Sequence, residues 1–222
     1  MRAPESLWPA RLAVIAVIGL NLTLSEQLTF GPTWLLPGLE TLLLLPLSLL
    51  RGRARHRLVH LGRRAVDMDS ARLVRALAVG MIGLLHLGNL ASLTLLVLGL
   101  LRGGGPGATA LLAGALSIWV TNVLVFSLWY WELDQGGPLG RGDPGAPLDF
   151  LFPQRTVPGL APADWRPEYL DYLFVAFTNA SAFSPTDTLP LTRRAKGLMT
   201  VQASTSMLTV VLVASRAVNI LR

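Results

Sequence analysis

The sequence predicts an all-α polytopic integral membrane protein, with about five transmembrane helices and a re-entrant helix and loop before the last of them. Two bulk properties of the 222 residues predict this class: 52% of them are hydrophobic and only 14% are charged, which gives a mean hydropathy of +0.52. The third observation is a series of apolar runs. Each is close to the ~20 residues that cross a bilayer at about 1.5 Å per residue.

The first two runs are residues 9–30 and 33–50. Gly31-Pro32 joins them, and this connection is short enough to force an antiparallel hairpin. We expect the first run to be an uncleaved membrane segment, because no small-residue cleavage site closes it. The second run is marginal in length and is interrupted by Pro37-Gly38.

A basic region follows, with seven arginines between Arg51 and Arg72. We expect it to be partly helical at the membrane interface. The net charge of +6 would also suit nucleic acid, but arginines placed directly after an apolar run indicate membrane topology instead. Such a region also attracts anionic lipid head groups. The lipid bilayer is therefore the expected partner, and nucleic acid is not.

A second hairpin is predicted from residues 73–101 and 108–131, around a glycine-rich turn. Its last three residues, 129–131, are aromatic and typical of a membrane surface, so we expect Glu132 and Asp134 to lie in water directly after them. Residues 135–167 are rich in Gly and Pro, which predicts a loop and not a domain.

The last part of the chain predicts a short helix, a break and a long helix. Pro167 suits a helix start with Glu168 and Asp171 in the first turn, and this helix is expected to end near Ala180. Thr192 is the predicted N-cap of the last helix, which continues to residue 221.

Residues 171–196 resemble, without a gap, the pore segment of two-helix potassium channels. In that family a pore helix, a TVGYG filter, an Asp and a Pro lead into the inner helix. Here Asp187 falls on the Asp, Pro190 on the Pro and Lys196 on a basic position of the inner helix. The filter positions hold Ala182, Phe183, Ser184, Pro185 and Thr186.

The resemblance implies an oligomer of four subunits around a pore, and it divides the chain in two. The N-terminal part, 1–107, holds the first membrane helices and the basic loop 51–72. The C-terminal part, 108–222, is a pore-like module made of an outer helix (108–131), a linker (132–167), a pore helix and loop (168–191) and an inner helix (192–222).

The filter chemistry differs from that of the channels, because this loop has no glycine to align backbone carbonyls. Pro185 also biases Ser184 toward an extended backbone, so we expect no tight potassium selectivity. Phe183 is a candidate hydrophobic gate. The hydroxyl and carboxylate groups expected to line the constriction are those of Ser181, Ser184, Thr186 and Asp187, and Thr178 and Ala182 complete the predicted pore positions.

The inner helix carries a second part of the resemblance, with Lys196, Ser206 and Arg216 at the basic, small and basic positions of that family. Small polar residues recur on it at helical spacing and predict one stripe that faces a lumen or another subunit. The alternative is that they only mediate helix packing. The stripe consists of Gln202, Thr205, Ser206 and Thr209.

The order of elements along most of the chain is also similar to an uncharacterised family of bacterial membrane proteins. The similarity lies in Tyr130-Trp131, in residues 148–150 and in residues 169–178, which match a segment of the DYWDFLYFSFT type. This resemblance implies no function.

Polar groups inside the apolar runs are a separate set of candidates. Glu40 is the strongest candidate among them, because burying a carboxylate in the membrane costs free energy unless the group is protonated, paired or hydrated. His86 and Asn89 are one turn apart and are expected to pair with Glu40 or with Asn122. A proton relay and a structural hydrogen bond are both open.

The sequence contains no catalytic motif that would indicate an enzyme. We expect neither a cofactor nor a metal, since the three histidines lack metal-ligand spacing and the chain has no cysteine. We expect a homo-oligomer in the inner (plasma) membrane, N-terminus inside and C-terminus outside, that lets a small inorganic ion permeate passively. The alternatives are a non-conducting membrane scaffold and a proton-coupled transporter that uses Glu40.

Overall fold

A computed structural model describes residues 5–29, 31–61, 68–102, 107–141, 145–157, 159–162, 164–181 and 188–220. In this part of the chain the fold is all-α, as predicted. The six helices are α1 (Trp8–Thr23), α2 (Leu35–Leu61), α3 (Met68–Leu101), α4 (Ala108–Leu133), α5 (Tyr169–Ser181) and α6 (Arg193–Ile220). Two short antiparallel strands, β1 (Phe150–Leu151) and β2 (Leu189–Pro190), pair Phe150 with Pro190.

Four helices are long and apolar enough to cross a membrane: α2, α3, α4 and α6. This confirms a protein embedded in a membrane. Helix α1 is apolar but has only 16 residues, and α5 has 13. A fifth crossing by α1 and a re-entrant position for α5 therefore stay predictions.

Helices α1 and α2 form an antiparallel hairpin. Near the turn, Asn21 Nδ2 donates to Glu40 Oε1 at 2.9 Å; at the other end, Arg11 Nη2 donates to the Ser48 carbonyl at 3.0 Å. Helix α1 ends before the apolar run does, because Leu24 takes an extended backbone. Pro37 does not interrupt α2, since it lies in the first helical turn, where the backbone N–H has no helical acceptor.

Helix α4 lies at the centre of the bundle and packs against α1, α3, α5 and α6. Its side chains Phe126, Tyr130 and Trp131 are fully buried. Most of its apolar surface is therefore covered by the rest of the chain, whereas α2 and α6 keep long exposed apolar faces.

Helices α5 and α6 run side by side in the same direction. Ala176 accepts a hydrogen bond from Gln202, and Ala180 accepts one from Ser206, so both contacts advance by four residues on each helix. Helix α4 is antiparallel to them, because Arg194 bonds to the carbonyl of Leu133, at the end of α4. We call this end of the bundle, where α4 ends and α5 and α6 begin, the charged end.

The chain leaves α4 through a tight loop whose backbone favours glycine at two positions. Gln135, Gly136 and Gly137 all have positive φ. A Cβ on Gly137 would lie 2.8 Å from the carbonyl oxygen of Glu132, which is inside van der Waals contact. The loop thereby folds back onto the last turn of α4.

We expect Gly137→Ala to lower the free energy of unfolding by about 2 kcal/mol or more, because it adds a steric clash to an unfavourable φ. Gly159→Ala is the matched control: its φ is +79°, but no described heavy atom lies within 4 Å of the added Cβ. That variant should lose only about 1 kcal/mol. Equilibrium unfolding in mixed detergent micelles measures both, and equal losses would contradict the close approach at Gly137.

Candidate functional site

The predicted pore loop lies mostly outside the described residues. Residues 182–187, which hold the filter positions and Asp187, are among those not described. Thr178 and Ser181, at the end of α5, are described. Their hydroxyls donate to carbonyls of their own helix, those of Phe174 and Phe177, at 2.8 and 2.9 Å.

The predicted polar stripe of α6 faces the inside of the chain. All four of its members, Gln202, Thr205, Ser206 and Thr209, are buried. Thr205 and Thr209 bond back to their own helix. Gln202 and Ser206 bond to α5, so the described contacts of the stripe are those of helix packing within one chain.

Gln202 joins three helices at one level. Its Nε2 donates to the Ala176 carbonyl of α5 at 2.8 Å. Its Oε1 accepts from the Tyr130 hydroxyl of α4 at 2.5 Å and from Asn179 Nδ2 at 2.9 Å. The side chain is fully buried, so these three bonds replace the water that the amide would otherwise bind. We call Gln202, Tyr130 and Asn179 the polar spine.

Further contacts continue the polar spine in both directions along α4. Asn122 Nδ2 donates to the Gln202 carbonyl at 3.3 Å. Toward the charged end, the hydroxyls of Ser127 and Tyr169 lie 2.6 Å apart. Burial raises the pKa of the Tyr169 hydroxyl, which the Ser127 contact opposes. These contacts hold α5 against α4 along its first turns.

The charged end gathers four carboxylates that are mostly withdrawn from water. The expectation that Glu132 and Asp134 lie in water is wrong, because both are buried. The physical reason is that the residues before α1 and the linker fold over the end of α4, where Glu5 bonds to Trp131 and to the backbone of Tyr169.

Three of these carboxylates pair with arginines from other parts of the chain. Glu132 pairs with Arg51 of α2, whose guanidinium lies 5.1 Å from the Trp131 ring. Glu5 pairs with Arg141 of the linker. Asp149 pairs with Arg194 of α6. A buried charge is tolerated only when it is paired and hydrogen-bonded. These pairs therefore fix α2 to the end of α4, the segment before α1 to the linker, and the linker to α6.

The fourth carboxylate, Asp134, is held by neutral hydrogen-bond donors instead. Tyr172 donates its hydroxyl to Oδ2 at 2.5 Å, and the backbone N–H of Asp149 donates to Oδ1 at 2.8 Å. Burial raises the pKa of the Tyr172 hydroxyl well above its ordinary value, although nearby Arg141 opposes this. Asp134 thereby ties the linker and α5 to the end of α4.

The same pairing sets the start of α6. Thr192, the predicted N-cap, accepts a hydrogen bond from the Ala195 N–H at 3.2 Å and donates its hydroxyl to Asp149. β1 and β2 pair immediately beside this contact. The short sheet and the cap therefore hold the starts of α6 and of the chain that precedes it.

The other intramembrane candidates lie on three helices, with Glu40 on α2, His86 and Asn89 on α3, and Asn122 on α4. Glu40 is fully buried, and its hydrogen-bond donor is Asn21 of α1 rather than His86, Asn89 or Asn122. Its second oxygen, Oε2, has no partner among the described residues. The His86 ring packs edge-on against Phe126 at 4.9 Å, and Asn89 is buried on α3.

Sequence reasoning missed Asn179 and Tyr130 as parts of the polar spine, and Asp134 and Glu5 as parts of the charged end. Their only sequence signal is polarity within or directly beside apolar helices. In the part of the chain described, no group of three or more His, Cys, Asp or Glu side chains is placed to hold a metal ion.

Replacement of Gln202 by leucine should lower the free energy of unfolding by about 2 kcal/mol, because it removes the bonds that Gln202 makes to the Tyr130 hydroxyl, Asn179 and the Ala176 carbonyl. Thr200→Val is the matched control on the exposed side of the same helix, where the hydroxyl bonds only to the Lys196 carbonyl. Unfolding in mixed micelles compares them. A Gln202 variant as stable as the control would show that the polar spine does not hold α5.

Glu5 predicts a pH dependence of stability. Burial raises the pKa of the Glu5 carboxyl above its ordinary value of 4.5, and the nearby Arg141 charge opposes this. The native state therefore binds the proton more tightly than the unfolded state does. The contribution of Glu5 is fully present below pH 4.5 and is lost as the pH rises through the native pKa.

We therefore expect the stability of the wild type, relative to Glu5→Gln, to fall as the pH rises above 4.5. Unfolding free energies of both proteins across this pH range give the difference. A difference that stays constant, or that rises with pH, would refute the assigned direction.

No family model, curated protein or solved structure matches this chain. The resemblances drawn from the sequence therefore stay predictions, and a function has to be argued from the geometry of the described residues.

Proposed function

We propose that the protein is a channel-like integral membrane protein that lets small ions permeate passively between the subunits of a homo-oligomer. In this proposal α5 is a re-entrant helix, and residues 182–187 after it form the constriction. The observation that carries the proposal is the parallel arrangement of α5 and α6, because both begin at the charged end.

This arrangement means that the chain enters and returns on one side. Helix α5 ends beside Ser206, about three turns into α6. The next described residues, at β2, pair with β1 at the charged end again. An outer helix, a short helix that enters the bundle and an inner helix in that order are what the channel resemblance implies.

The end of α5 is anchored in a way that suits this role. A broken helix inside a bilayer needs its polar groups satisfied by protein or by a water-filled cavity. Here the polar spine and Ser206 satisfy carbonyls and side chains of α5 from the side of α4 and α6. The opposite face is apolar and exposed, with Leu170, Phe174 and Phe177 each at least 50% accessible.

A permeation path between subunits fits these contacts better than one within a subunit. The stripe of α6 is used for packing, so its polar atoms do not line an opening in the monomer. We propose that the exposed face of α5 packs against a neighbouring copy, four copies in all by the resemblance. Thr178, Ser181 and the hydroxyl and carboxylate groups of Ser184, Thr186 and Asp187 then line the axis, with weak selectivity.

A proton-coupled transporter is the second candidate, and one observation favours it. Glu40 is fully buried in the first hairpin with one donor, Asn21, and no partner for Oε2 among the described residues. An intramembrane carboxyl of this kind is a candidate proton carrier. A non-conducting scaffold is the alternative if the protein transports no ion and no proton-coupled solute.

Ion flux in proteoliposomes tests the proposal, with potassium, sodium and chloride gradients applied separately. We expect cation flux above that of empty liposomes, and Asp187→Asn should reduce it by about tenfold, which corresponds to about 1.4 kcal/mol in the barrier. Asp164→Asn removes an exposed acid in the linker and should leave the flux unchanged.

The same liposomes decide between the candidates when a pH gradient is added. If Glu40 carries protons, Glu40→Gln abolishes proton-driven uptake, whereas Glu26→Gln, at an exposed acid beside the same hairpin turn, does not. The channel proposal is overturned if no ion crosses, or if Asp187→Asn and Asp164→Asn behave alike.

A further inference from the structure

Two arginines of the first hairpin, Arg11 and Arg53, lie at the charged end without a carboxylate partner among the described residues. Arg51, Arg141 and Arg194 each pair with a buried carboxylate. Arg11 and Arg53 pair with none among the described residues. Arg53 is exposed, and Arg11 is partly exposed. The surface of the first hairpin therefore carries positive charge that no carboxylate of the described residues pairs with.

Arg11 is also held in one orientation. It is the one charged residue of α1. Its guanidinium lies 5.5 Å from the Trp8 ring, and one nitrogen, Nη2, donates to the Ser48 carbonyl of α2 at 3.0 Å. A guanidinium has five N–H donors, so most of them remain for an anion.

Apolar stripes run from these arginines along both helices of the hairpin. On α1, Trp8 is 62% accessible, and Leu12 and Ile15 continue the same exposed face. On α2, Leu45 and Leu49 form an exposed face that ends at Arg53, one turn further on. The exposed surface of the hairpin thus changes from apolar to cationic toward the charged end, where the exposed Trp8 also lies.

We propose that Arg11, Trp8 and Arg53 form a binding site for the head group of an anionic phospholipid. The acyl chains lie along the exposed leucines of the hairpin, and the phosphate accepts hydrogen bonds from the guanidinium of Arg11. A tryptophan at the head-group level is typical of a membrane interface. The apolar continuation of the site selects a lipid over a free phosphate. This proposal does not depend on whether the protein conducts ions.

Native mass spectrometry of the purified full-length protein tests the site. The protein is titrated with phosphatidylglycerol and, in parallel, with phosphatidylcholine of the same acyl chains. We expect the wild type to retain the anionic lipid preferentially. Arg11→Gln should reduce that preference by about fivefold, and Arg53→Gln by a similar factor.

Arg102→Gln is the matched control, because Arg102 is exposed at the opposite end of the bundle. It should leave the preference unchanged. If Arg11→Gln does not fold, the comparison rests on Arg53→Gln, since the Arg53 side chain is exposed and makes no contact with the described residues that folding would require. The proposal is overturned if the wild type retains both lipids equally, or if Arg102→Gln lowers the preference as much as the site variants.

Discussion

Four carboxylates lie at the end of α4, three of them buried and Glu5 nearly so, and their need for partners organises the protein. A buried carboxylate without a partner is strongly unfavourable, so each one fixes the position of the group that pairs with it or donates a hydrogen bond to it. Arg51, Arg141, Arg194 and the hydroxyl of Tyr172 come from α2, the linker, α6 and α5. The ends of α2, α4, α5 and α6 on this side are thereby set by electrostatics, while apolar packing fills the rest of the bundle.

The position of α5 follows from two kinds of contact. At its start, Tyr169 and Tyr172 bond to Ser127 and Asp134 of the α4 region. Deeper in the bundle, Gln202 and Ser206 satisfy polar groups near its end. The helix is too short to cross a bilayer alone, since 13 residues span about 20 Å. Its place is therefore determined by neighbours on one side only, and the free side remains available to lipid or to another copy.

Most of the helices could be predicted from the apolar runs, because helix length and hydropathy are local properties of a sequence. The linker could not be predicted in this way. Asp134, Arg141 and Asp149 look like loop residues in water, and only the three-dimensional return of the chain buries them. The helical spacing of the polar residues on α6 could be read from the sequence. Such spacing shows that they share one face, but it does not show whether that face contacts a lumen or α5. Glu40 was visible as an acid in an apolar run, whereas its partner Asn21 depends on the register of the hairpin.

The pairing of Glu5 with Arg141 has a consequence for biosynthesis. These residues are separated by 136 positions along the chain, so the contact closes only after α1 to α4 have left the ribosome. Tyr169, which also bonds to Glu5, is synthesised later still. Glu5 therefore gains its last described partner only after Tyr169 has been translated, so the charged end is completed later than the first hairpin.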